Sequence, residues 1–326
     1  DEALDNYRLL FELYEQTPRA AELDAARFEY AQALNAKNSL IVRLSLNPMR
    51  LWARDGRGLL GDGSGLRGAS NLRELASDRG LMRMAAGLAN IARQIHRDAR
   101  KNNAQAIDLL SDLSKRHPAR VDYVLELAHA YREQARMARN ELDQSSAAEA
   151  FRNALKLLEQ LLEHHLDAPY LRFVYADAVT TLAPPQARRA GVPFNRAVQI
   201  ANSLVRDYPQ VPDYVALKAK TLLVRSDAAP ILQSIELLQG LVDEYPSLLH
   251  YRLLLANAWQ RLATVKNEAD DVGGAREALR QAIDVLSTFE QENGESGREL
   301  REGQLPQMIS LNVERLRQQL KSLEGK

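Results

Sequence analysis

Apolar residues recur along most of this chain at helical rather than strand spacing. Leu155, Leu158, Leu161 and Leu162 make a stripe at i, i+3, i+6 and i+7, the mark of a helix with one buried face. Leu9, Leu10 and Leu13 form a similar stripe in a helix stopped near Thr17-Pro18. Ala20 onwards reads as a long second helix ending before Pro48. Residues 1–53 are therefore expected to form an atypical N-terminal hairpin or cap. At the other end, Leu305, Met308, Ile309, Leu316 and Leu320 predict a capping helix over 305–326. No stretch alternates apolar and polar residues with the Val, Ile and Thr content of a strand. The pattern predicts an all-α chain.

The helical segments repeat. "AIDLLSDLSKRHPARVDY" (106–123), "ALKLLEQLLEHHLDAPY" (154–170), "AVQIANSLVRDYPQVPDY" (197–214) and "SIELLQGLVDEYPSLLHY" (234–251) share one plan. Each is an amphipathic helix, then a short linker, then a tyrosine taken to open the next helix. The tyrosines lie 47, 44 and 37 residues apart. One unit is thus a helix pair with an internal connection of variable length. A second pattern opens the later helix of each pair: small-x3-large-x2-small. It reads Ala99-Asn103-Ala106, Ala147-Phe151-Ala154, Ala190-Phe194-Ala197 and Ala275-Leu279-Ala282, with a degenerate copy at Asp227-Ile231-Ser234. Small residues at those places let two helix backbones approach, and the larger one fills the groove beside them.

The linkers have a mechanical reading. Pro209 cannot continue a helix. Pro212 suits a first turn, where its missing N–H costs nothing. Asp213 puts negative charge at a positive helix end. Pro118 and Asp122 divide the same work one repeat earlier.

Ala-x3-Phe-x2-Ala resembles the second-helix signature of the tetratricopeptide repeat. Val124-x2-Leu127-Ala128-x2-Tyr131 and Leu255-Ala256-x2-Trp259 resemble its first helix, and Leu171-x2-Val174-Tyr175 and Val215-x2-Lys218-Ala219 fit it more loosely. These repeats are longer than the family's usual ~34 residues. The closing string resembles a long variant in the tails of bacterial membrane-tethered Ser/Thr kinases and other signalling proteins. The resemblance covers Ala99 to Glu290. It implies a right-handed α-solenoid of stacked antiparallel helix pairs, with first helices lining a concave groove. With Val124, Leu171, Val215 and Arg252 aligned, the groove positions it implies are Leu125, His129 and Arg132; then Arg172 and Ala176; then Ala216 and Lys220; then Leu253, Asn257 and Gln260. Leu253 stands where chaperone-binding relatives carry a clamp lysine, which disfavours a chaperone tail as ligand.

Seven of the 16 glycines fall between Gly56 and Gly80. Residues 54–70 are read as a Gly-rich flexible insertion, since a phosphate loop would need a lysine and a preceding strand that are absent here. The repeat array is expected over 71–292, beginning with a helix from Asn71 to about Asn102, and a linker over 293–304. That first helix carries Arg79, Arg83, Arg93, Arg97 and Arg100, a solvated face or a dock for an acidic partner or anionic headgroups. Basic and acidic residues balance, 43 against 43, which argues against nucleic acid.

The chain has no cysteine, which removes disulfides and thiolate chemistry. His164-His165-x-Asp167 lacks the i, i+4 spacing of a zinc helix. No elbow, dinucleotide or kinase motif is present. No segment is apolar enough to cross a bilayer. The chain opens on Asp1 rather than Met and is read as processed or trimmed, with an upstream tether or leader removed. The expected function is non-catalytic and cofactor-free: a scaffold binding a protein or peptide within a larger bacterial signalling protein, outside the cytoplasm or membrane-tethered, with the cytoplasm as the alternative setting. A structural subunit of an assembly is the alternative function.

Overall fold

The computed structural model describes residues 20–45, 79–183, 191–225, 227–296 and 304–324, and among these every regular element is an α-helix. The chain divides into two compact units, Asp1–His165 and Leu166–Lys326. The first contains α1 (Ala20–Ser45), α2 (Arg79–Arg116), α3 (Val121–Asn140) and α4 (Gln144–His164). The second contains α5 (Pro169–Leu182), α6 (Val192–Asp207), α7 (Pro212–Leu223), α8 (Ala228–Glu244), α9 (Leu249–Glu268), α10 (Val272–Ser296) and α11 (Gln304–Glu324). Within each unit every helix packs on the next in sequence. Helices two apart also meet: α1 with α3, α5 with α7, and α7 with α9.

Two expected boundaries differ. The helix predicted to end near Asn102 runs unbroken to Arg116. The intervening "RKNNAQAID" contains no proline or glycine, so nothing interrupts the hydrogen-bond ladder. The predicted linker at 293–304 is helical as far as Ser296. The insertion at 54–70 and the first predicted helix, 1–18, lie outside the described residues. α1 was expected as the second helix of an N-terminal hairpin. It packs on the C-terminal half of α2 and on α3, burying Tyr30, Ala31 and Leu34 with Ala106, Leu110, Leu127 and Ala130. It therefore stands as first helix to the pair whose second helix, α2, carries the small-large-small pattern from Ala99.

The small-large-small pattern is buried wherever it is described, except at Asp227 of the degenerate copy, which is exposed. Ala106, Ala154, Ala197, Ser234 and Ala282 are each 0% exposed. Phe151, Phe194, Ile231 and Leu279 are buried beside them. Ser234 keeps the degenerate copy working, because its Oγ donates to the Ala219 carbonyl of α7 at 2.9 Å. A hydroxyl buried between two helices has thus found a partner.

The linkers after α2, α6 and α8 are one structure built three times. The amide of His117, Tyr208 or Tyr245 donates to the carbonyl four residues back. Its own carbonyl then accepts from Arg120, Val211 or Leu248, three residues on. The ring leaving the helix meets the ring entering the next: His117 on Tyr123 at 5.8 Å, Tyr208 on Tyr214 at 6.0 Å, and Tyr245 on Tyr251 at 6.0 Å. Such tilted and edge-on contacts suit the aromatic quadrupole.

The linker after α4 corrects the sequence alignment. His165 ends α4, Leu166-Asp167 make the turn, and Ala168 precedes α5. Matched turn to turn with Tyr208, Pro209-Gln210 and Val211, this linker puts Tyr170 opposite Asp213, not Tyr214. Leu171 is the residue opposite Tyr214. Burial agrees: Tyr123, Leu171 and Tyr251 are 4, 6 and 3% exposed, and Tyr170 is 54% exposed. Aligning on tyrosine therefore shifts this repeat by one residue, because Leu171 does the packing that tyrosine does elsewhere.

Two inner turns share a rarer feature. Leu142, between α3 and α4, has φ 64°, and Asp270, between α9 and α10, has φ 60°. Each is followed by an aspartate that caps the next helix: Asp143 accepts from the Ser146 amide at 3.0 Å and Asp271 from the Gly274 amide at 2.8 Å. Aspartate tolerates the left-handed region, whereas leucine does so at a steric cost. Leu142 is also 60% exposed, so its side chain recovers little by burial. Leu142→Gly is expected to stabilise the first unit by about 1 kcal/mol, read as a raised urea midpoint.

The C-terminal helix docks on the last helix pair. Ile309, Val313, Leu316 and Leu323 of α11 are buried in one core with α9 and α10. Arg276 of α10 donates through Nε to the Leu323 carbonyl at 3.1 Å, satisfying a carbonyl at the end of α11.

Candidate functional site

The residues singled out for a groove all lie on α3, α5, α7 and α9. In the turn-based register His129 is equivalent to Asp177, Lys220 and Asn257, and Leu125 to Phe173, Ala216 and Leu253; within the second unit these make two rows across α5, α7 and α9. Asp177 and Lys220, equivalent residues on successive first helices, form an ion pair at 3.3 Å. Phe173 lies against Tyr214 with ring centroids 5.6 Å apart. The Asp177–Lys220 pair joins same-row residues, as stacked first helices do, and the Phe173–Tyr214 contact joins neighbouring rows. Asp177, absent from the sequence-based set, was recoverable only once the one-residue shift was known.

The shift also explains Ala176. It occupies the small-residue position shared with Ala128, Ala219 and Ala256, and is 0% exposed. Ala31 of α1 holds that position too, in Tyr30-Ala31-x2-Leu34, a first-helix signal visible in sequence. Ala176 and Ala216 are both buried between helices and offer no surface.

Several polar members of the set act within the fold. Arg172 donates to Ser203 of α6 and lies 3.9 Å from Asp207. The hydrogen bond from Arg206 and its charge, with a smaller contribution from Arg172, hold the Asp207 carboxyl below its usual range against the opposing effect of burial. Gln260 donates to Gln319 of α11 at 2.8 Å. Leu253 packs on the core of the second unit. His129 lies 3.8 Å from Glu126 one turn back. Arg132 is half-buried, as is Leu125, and Asn257 is exposed.

Successive first helices are also joined at their starts. Tyr251 is pushed up to about 12 by burial, by the negative charge of Asp213 and by a hydrogen bond with that carboxylate. Asp213 opens α7 and Tyr251 opens α9. The aspartate read as a helix-dipole partner is thus also a tie to the next pair.

The first unit holds a denser charge cluster where α1 meets the end of α2. Asp24 is 5% exposed. It accepts from Arg116 at 2.5 Å and lies 2.7 Å from His117 Nε2. Arg27 stands 3.8 Å from both Asp24 and Asp112. Burial works to raise the Asp24 carboxyl, but the hydrogen bonds with His117 and Arg116 and their charges outweigh it and hold it below the usual range. Sequence reading did not find this cluster, because its members come from helices far apart in the chain.

No family model matches the chain, and no curated protein matches it. The packing defines a class: an all-helical, repeat-built protein in which consecutive helices pack in order. No described helix is long and apolar enough to cross a membrane.

Proposed function

We propose that the chain is a non-catalytic scaffold of tetratricopeptide-like hairpins, stacked as a helical solenoid, whose first-helix surface binds a protein or peptide. The observation that carries this reading is the contact of alternate helices, α1 on α3, α5 on α7 and α7 on α9, beside strictly consecutive packing. First helices stacked on first helices present a continuous row of side chains, the arrangement by which repeat proteins hold extended ligands. Leu125, His129 and Arg132 on α3 supply partly exposed apolar, polar and basic groups to such a face in the first unit, and Asn257 on α9 supplies an exposed polar group in the second. The kinase-tail resemblance of the linkers is what supports reading the scaffold as part of a larger bacterial signalling protein.

Crosslinking of the full chain in extracts of its host, followed by mass spectrometry, tests this reading. Crosslinks to a protein partner are expected to map on α3 and α9. Leu125→Glu is expected to lower partner recovery about tenfold, the loss of one well-packed anchor, with an unchanged melting temperature. Equal recovery by this variant, or crosslinks confined to the second helices, would sink it.

A second reading, a subunit of an assembly, is favoured by Leu166 and Tyr170, which are 62 and 54% exposed at neighbouring positions. Two large apolar groups left this open are common at contacts between chains. A concentration-dependent mass by light scattering that Tyr170→Ser abolishes would support it.

A further inference from the structure

We propose that α1 is a releasable first helix, an intramolecular strap that can leave the slot between α2 and α3 while the rest of the first unit stays folded. The argument begins at Asn103. The other pairs carry Phe151, Phe194, Ile231 and Leu279 at its repeat position, all buried. Asn103 is 1% exposed, yet its Oδ1 has no hydrogen-bond partner. Asn103 sits one helical turn before Ala106, which packs against α1 and α3 together. Two more buried oxygens in these helices lack partners: Oδ1 of Asn35 on α1 and Oε2 of Glu133 on α3. Asn35 uses only its amide nitrogen, which donates to the Glu126 carbonyl at 3.2 Å and to its carboxylate at 3.1 Å. Glu133 uses only Oε1, which accepts from Arg136 at 2.7 Å.

A buried acceptor without a donor gives up its hydration and receives nothing for it. Such groups favour any opening that returns water to them. Apolar contact offsets this. Tyr30, Ala31 and Leu34 are buried with α2 and α3, and Phe28 lies against Tyr123 at 4.7 Å. Among the described residues the strongest polar hold on α1 lies where Asp24 meets Arg116 and His117, and Asn35 adds its two bonds to Glu126. A helix held chiefly at one end, over a seam with unpaired acceptors, is released as a unit once that hold breaks. The low-stability parts of a fold are the ones that open locally and carry regulation. Release of α1 uncovers Ala106, Leu110, Leu127 and Ala130, an apolar slot already shaped for a helix.

Hydrogen exchange of the full chain, read by mass spectrometry, tests this. Amides of α1 are expected to exchange at least about tenfold faster than those of α3, the sign of sub-global opening. Asp24→Asn is expected to speed α1 by about tenfold, the loss of one charge-assisted bond to a buried group, and to leave α3 unchanged. Asn103→Leu, which restores the apolar residue of the other pairs, is expected to slow α1 by a similar factor. The two variants have opposite signs, so general damage cannot imitate both results. Equal exchange of α1 and α3, with both moving together in either variant, would make the unit a single cooperative block and overturn the proposal. Faster α1 exchange in Asn103→Leu would overturn the role given to the unpaired acceptors.

Discussion

Leu171→Ala is expected to destabilise the second unit by about 2–5 kcal/mol, while Tyr170→Ala shifts it by no more than about 0.5 kcal/mol. The two residues are adjacent, and sequence alignment favours the wrong one. Tyr170 matches Tyr123, Tyr214 and Tyr251 by residue type; Leu171 matches them by place. Leu171 is 6% exposed at the start of α5, and removing its side chain leaves a cavity in the helix-to-helix seam. Tyr170 stands where Asp122 and Asp213 stand, half its surface in water, so its ring contributes little to remove. Urea unfolding of the two single variants measures the difference. A larger loss for Tyr170→Ala would restore the tyrosine-based register and undo the assignment of Asp177 and Phe173 to the first-helix rows.

Ala197→Leu is expected to cost about 1–3 kcal/mol by overpacking, in contrast to Val192→Ala, which should lie within about 0.5 kcal/mol. Ala197 is 0% exposed, as are its counterparts Ala106, Ala154, Ser234 and Ala282. The repetition of a small residue at a sealed contact means that backbone approach, not side-chain chemistry, is selected there. Added methylenes have no space to enter without moving a helix. Val192 opens the same helix at 80% exposure and faces no such constraint. Thermal or urea melts of both variants give the comparison. Equal, small effects would mean that the small-large-small pattern does not mark close helix approach.

Much of the fold was legible because helical repeats write their contacts locally. The stripe in Leu155, Leu158, Leu161 and Leu162 predicts α4, with Leu158, Leu161 and Leu162 buried as expected. Pro209 and Pro212 fall one residue past the end cap of α6 and at the first residue of α7. Ile309 and Leu316 of the predicted cap are buried, although Val313 and Leu323 of the same helix were missed. These features depend on spacing along one helix, which sequence carries directly.

The candidate site was less legible. The tetratricopeptide alignment gives Arg172 and Lys220 as groove members; tertiary packing joins them to Ser203 and Asp207, and to Asp177. Ala176 and Ala216 looked available until neighbouring helices covered them. A one-residue slip on a helix turns a side chain by about 100°, so an error too small to alter the predicted helix moves a row of surface residues onto a different face.

Sequence by itself determined the all-α character, the helix-pair repeat, the linker prolines and the small contacts of the second helices. Each follows from backbone and side-chain preferences acting within a few residues. Only the tertiary structure decided that α1 serves as first helix to the pair whose second helix carries the pattern from Ala99, that Leu171 replaces a tyrosine, and that Asp24 meets Arg116 and His117. Those depend on which helix lies beside which, and that is set by burial and charge pairing between residues that no local pattern connects.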